Sequence, residues 1–66
     1  MYFDNAVALH RQCRTAAKDR DDYLTERLIE KLDWAVRQHA KEIGGNYLDV
    51  YLAALCIAVG YDQKST

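Results

Sequence analysis

Few residues of this chain have side chains that do chemistry. His10 and Cys13 stand three apart, and packing could bring His39 and Cys56 to them. Two imidazoles and two thiolates would suit tetrahedral zinc. The same residues could form a thiolate–imidazole pair for nucleophilic catalysis. Both readings need ligands from several helices to meet at one point, yet His39 lies inside an apolar stripe. Cys13 and Cys56 sit among small apolar residues, and cysteine is often buried without any metal. A reactive thiolate also wants an electropositive, partly exposed setting, for which Arg14 beside Cys13 is the only hint. Gly44-Gly45 stands alone and is no phosphate-cradling loop. Asp21-Asp22 is accounted for by a helix cap and a solvated turn. The sequence therefore gives no catalytic, cofactor-binding or metal-ligating residue. The expectation is a chain that is not an enzyme and carries no cofactor.

Size and charge narrow the classes further. The 66 residues allow one domain, 1–66, with a small core. Half the residues are apolar and 29% are charged, which is a globular balance and not a disordered one. The net charge is −1, whereas a non-specific nucleic-acid binder is clearly basic. The start, Met1-Tyr2-Phe3-Asp4, lacks the basic and apolar regions of a signal peptide. The longest apolar run, Val50 to Val59, is far short of the ~20 residues that span a bilayer. The expectation is a soluble, cytoplasmic protein with no membrane contact and both thiols reduced.

Three helices must position whatever surface acts. There is no proline, and Gly44, Gly45 and Gly60 are the main punctuation. The spacing predicts a first helix over about 5–18, capped by Asp4, with Ala6, Leu9, Cys13 and Ala16 inward. Arg11, Arg14 and Lys18 lie on another of its faces. A second helix is predicted over 22–43, with its N-cap at Asp21 or Asp22 and Gly44 as its stop. Its apolar arc runs from Leu24, Leu28 and Ile29 through Leu32, Ala35, Val36, His39 and Ala40 to Ile43. A third is predicted over 46–59, capped by Asn46 and ended by Gly60, with a polar, frayed tail beyond. Between Tyr47 and Val59 its only charge is Asp49. A helix apolar nearly all round must be covered on several sides. It is therefore expected to be the central helix, or to meet a partner with its spare face. The expected core is Leu28, Leu32 and Val36 with Leu48, Leu52 and Leu55. The fold class is all-α, a compact three-helix bundle with an apolar C-terminal helix.

The informative surface is the outer face of the second helix. Trp34 falls well outside the apolar arc, near Tyr23 and Arg27. Tryptophan, tyrosine and arginine together are the usual composition of an interface hot spot, unless Tyr2 and Phe3 fold over Trp34. Beside them runs an acidic edge. Asp22, Glu26 and Asp33 lie within about 40° of one another on the helical wheel, and Glu30 about 40° further round. Asp19 leads into the row, and Arg37 interrupts it. Such a row can resemble phosphates to a protein that binds nucleic acid. The bland alternative is a solvated face with i, i+4 ion pairs. A DNA-reading helix should carry Arg, Lys, Asn or Gln, and the third helix has none beyond Asn46.

In size, helical design, lack of catalytic motifs and the acidic edge Asp22, Glu26, Glu30, Asp33, the chain resembles small all-helical phage-encoded anti-CRISPR proteins. The resemblance covers general character and no specific motif. It implies a non-enzymatic inhibitor that binds a nucleic-acid-binding effector subunit and blocks its DNA or PAM site. The expected partner contacts are Asp19, Asp22, Glu26, Glu30, Asp33, Tyr23, Arg27 and Trp34, on a monomer or homodimer. No direct contact with nucleic acid is expected. Two other classes stay open: a DNA-binding or antitoxin-like regulator using the cations of the first helix, and a structural subunit of a larger assembly.

Overall fold

The computed structural model describes residues 1–64, with side chains through Gly60. Three helices follow in order: α1 (Tyr2–Lys18), α2 (Asp22–Ile43) and α3 (Tyr47–Lys64). They form an all-α three-helix bundle. Among the described residues, no single helix is long and apolar enough to cross a membrane.

The two chain reversals share one device. The Gly45 N–H donates to the Ala40 carbonyl at 2.8 Å and the Gly44 N–H to Lys41 at 3.4 Å. Gly44 takes the left-handed conformation, φ +65°, that this helix ending requires. At the end of α1 the same pattern links Asp21 to Ala16 and Arg20 to Ala17, so Arg20 holds φ +57°. A side chain there costs about 1 kcal/mol relative to glycine. The chain then turns directly into α2, because the Asp21 carboxylate accepts from the Leu24 N–H at 3.1 Å. Asn46 starts α3 in a similar way, accepting from the Leu48 N–H at 2.8 Å.

Several expectations are corrected. The first helix starts at Tyr2, not near Asn5, with Met1 as a cap that lends no side-chain bond. Asp4 lies inside the first turn, 3.7 Å from the terminal ammonium, where a carboxylate offsets the helix dipole without capping it. The third helix runs through Gly60 to Lys64. Gly60 does not adopt the positive φ that ends a helix, so it is no stop. The end of the expected tail, residues 65–66, lies outside the described residues.

The central helix is α1 and not α3. α1 packs against both α2 and α3, which meet each other least. Its small residues make this possible: Ala6 and Ala16 are buried with Val7 and His10, while Leu9 and Cys13 are half-buried flanks. The core is built from Ala6, Val7, Leu32, Ala35, Val36, Ala40, Val50, Ala54 and Ala58. Leu28, Leu32 and Val36 are buried as expected. Leu48 and Leu52 are not: they are 57% and 47% exposed, and Leu55 is only half-buried. α3 instead turns Val50, Ala54 and Ala58 inward, flanked by Tyr47 and Tyr51. Alanines let its backbone approach α1, and each tyrosine ring finds a specific partner that a leucine could not use.

One of those partners is His10, which is 3% exposed. Its Nε2 donates to the Tyr51 carbonyl at 3.2 Å, and its ring stands edge-on to Tyr51 at 4.6 Å between centroids. Burial pulls the imidazole below its ordinary pKa of 6.5, and the bond to Tyr51 opposes this without reversing it. The unfolded chain therefore takes up a proton as pH falls through about 6.5, while the folded chain resists. Stability is complete above that value and is lost as pH falls toward the folded pKa. The melting temperature is expected to be lower at about pH 5.5 than at about pH 7.5. His10→Gln, which can give the same bond without titrating, should shrink the difference. An unchanged difference in that variant would assign the effect to other groups.

Candidate functional site

α2 carries the candidate site, and its capped start sets the phase of the surface. From the Asp21 cap, Asp22, Glu26 and Glu30 recur every four residues, one carboxylate about every 6 Å along the axis. All three are exposed, as is Asp19 in the turn before them. Among the described residues none of the four carboxylates takes part in a hydrogen bond or ion pair. The i, i+4 pairing that would explain the row as an ordinary solvated face is therefore missing along it.

Asp33 is different. It is half-buried, and its Oδ2 accepts from Arg37 Nε at 2.8 Å. The Arg37 guanidinium lies over the Tyr47 ring, 5.2 Å from its centroid. Bonds from Arg37 and from the Tyr47 hydroxyl hold the Asp33 carboxyl below the usual carboxylate range. Burial and the bond to Asp33 push the Tyr47 hydroxyl up. Asp33 thus joins α2 to α3, and the open part of the row is Asp19, Asp22, Glu26 and Glu30. Arg37 no longer interrupts that row, because it is turned toward Asp33 and Tyr47.

The hot-spot residues form a second strip. Tyr23, Arg27 and Trp34 fall within about 40° of one another on α2. Tyr23 is 73% exposed and Trp34 is 54% exposed. Tyr2 does reach Trp34, edge-on at 5.3 Å between centroids, and covers part of the indole. Trp34 also lines a shallow groove of about 520 Å³ between α1 and α2, together with Asn5, Gln12, Glu30 and Lys31. One contributor was absent from the sequence reading. Ile29, placed in the apolar arc, is 52% exposed and lies about 20° from Asp22. Its position at the rim of a wide arc is the only signal that could have found it.

The groups weighed for chemistry do not converge. His10 faces Tyr51, His39 lies against Phe3 with centroids 5.1 Å apart, and Cys56 is exposed on α3. Burial pushes the Cys13 thiol up, away from the thiolate that nucleophilic or metal chemistry needs. Among the described residues no three His, Cys, Asp or Glu side chains are placed to hold a metal ion. On α1, Arg11 and Arg14 are exposed but already interact with other groups of the chain. Compared with protein-family models, with curated proteins and with solved structures, the chain matches none.

Proposed function

We propose that this chain is a small non-enzymatic inhibitor that docks through α2 on a nucleic-acid-binding protein and occupies its nucleic-acid site. The observation that carries this reading is the run of four exposed, unpaired carboxylates at Asp19, Asp22, Glu26 and Glu30. Side chains of one sign left without partners repel one another, and a basic surface removes that repulsion. Tyr23, Ile29 and Trp34 beside the row add the apolar contact that an ion-pairing surface alone lacks. The resemblance to anti-CRISPR proteins makes the partner a CRISPR effector subunit in the cytoplasm, with its DNA or PAM site as the surface blocked. The chain acts by occupancy, and its role needs no cofactor and no nucleic acid of its own.

The test is capture from nuclease-treated bacterial extract on the immobilised chain, followed by mass spectrometry. The expected result is a nucleic-acid-binding protein that is retained after nuclease treatment. Retention of nucleic acid by the chain itself would favour the DNA-binding regulator instead.

A further inference from the structure

We propose that α3 pairs antiparallel with α3 of a second copy of this chain, along Leu48, Leu52, Leu55 and Val59. The proposal is separate from the role of α2 and does not depend on it. By turning Val50, Ala54 and Ala58 inward, α3 leaves another of its apolar faces only partly covered. Leu48 is 57% exposed and Leu52 is 47% exposed, with Leu55 and Val59 half-covered along the same line.

Four observations select a second copy as the occupant. The first is spacing. Leu48, Leu52, Leu55 and Val59 are separated by 4, 3 and 4 residues, the seam of a two-helix coil. That series reads the same in both directions, so a two-fold axis between Leu52 and Leu55 sets Leu52 against Leu55 and Leu48 against Val59 of the other copy. An isologous contact of this kind needs no other surface.

The second is charge. From Gly44 to Gly60 the only ionisable acid or base among Asp, Glu, Lys and Arg is Asp49, so a charged partner finds no complement here. In the antiparallel pair the two Asp49 residues lie about 13 Å apart along the axis, which is beyond the screening length at physiological salt. A parallel pair would set them side by side.

The third is the thinness of the core. Among the described residues, the larger buried apolar side chains are Val7, Leu28, Leu32, Val36 and Val50, and alanines fill the rest. A domain this small commonly relies on a disulfide, a metal or association. Both cysteines are free, and no metal-holding group exists among the described residues. A second copy is the one partner present wherever the chain is. The fourth is area. The seam is ~17 Å long on a helix ~10 Å across. It buries a few hundred Å² per copy, less than the ~800 Å² per partner of a standard stable interface and of the size of a weak, transient pair. The dimer is therefore reversible and depends on concentration.

Sedimentation equilibrium from about 5 to about 500 μM tests the proposal. The wild-type mass is expected to rise from 7.6 kDa toward twice that value. Leu52→Lys, and Leu48→Lys with Leu52→Lys, should stay monomeric while keeping their helical circular dichroism. Leu52→Gln replaces them if lysine costs the fold. Ile29→Lys, at an exposed apolar site on α2, should dimerise as the wild type does. Orientation is read by oxidation in a Cys13→Ser, Cys56→Ser background. Leu48→Cys with Val59→Cys should give a covalent dimer, and Leu48→Cys alone should not. A wild type that stays monomeric throughout, or a Leu52→Lys variant that dimerises equally, overturns the proposal. So does a chain that is monomeric in water and partitions onto phosphatidylcholine–phosphatidylglycerol vesicles.

Discussion

Leu32→Ala is expected to unfold most of the protein at ambient temperature. Leu32 is 2% exposed and packs in the centre of the core with Ala35, Val36 and Ala40. Truncating a buried leucine removes its transfer free energy and leaves a cavity, at a cost of roughly 2–5 kcal/mol. Its neighbours here are mostly alanines, whose side chains are too short to close around the gap. A single core of this size supplies only about 3–5 kcal/mol in total. The loss therefore takes most or all of the available stability. Urea titration followed by circular dichroism reads it directly. Leu52→Ala is the control. With Leu52 47% exposed, its truncation is expected to cost the monomer less than about 1 kcal/mol. Equal destabilisation by the two would place Leu52 in the core and contradict the packing of α3.

The contrast between these two leucines marks how far the sequence could be read. α2 was legible because it is amphipathic and bounded: Asp21 caps it, Gly44 ends it, and Leu28, Leu32 and Val36 share one face. The three-helix bundle follows from that helix and its two neighbours. α3 is apolar on nearly every side, so periodicity shows that it is a helix and gives no phase. Its orientation is decided by shape and polar tips, through Ala54 and Ala58 against α1, Tyr51 on His10 and Tyr47 under Arg37. None of these pairings is local in sequence. The candidate site divides in the same way. Asp22, Glu26 and Glu30 were legible from spacing alone. Asp33 leaves that row through its i, i+4 bond to Arg37, whose guanidinium lies over Tyr47 of another helix. The exposure of Ile29 is a matter of tertiary packing that periodicity does not give.

The second large effect concerns the acidic row. Asp22→Lys with Glu26→Lys reverses the sign of the local field on α2. Both carboxylates are exposed and neither takes part in a hydrogen bond or ion pair among the described residues. The cost to the fold is therefore confined to Asp22, whose charge in the first turn of α2 favours the helix dipole. Reversing it should lower the melting temperature by a few degrees and leave the protein folded. Affinity for the partner should fall on the order of 10²-fold, and what remains should depend less on salt. Arg11→Glu with Arg14→Glu, on α1, should weaken partner binding far less. A DNA-binding regulator would give the reverse ranking, because its phosphate contacts would come from those arginines.

The central claim, that α2 occupies the nucleic-acid site of its partner, is tested most directly by competition. A CRISPR effector–guide complex is bound to its labelled target DNA and resolved by electrophoretic mobility shift, with increasing amounts of this chain. The account predicts that the wild type abolishes the shift when added before the DNA and that the Asp22→Lys, Glu26→Lys variant leaves it intact. A shift lost equally with both proteins, or a ternary complex in which the effector holds this chain and its DNA together, would contradict it.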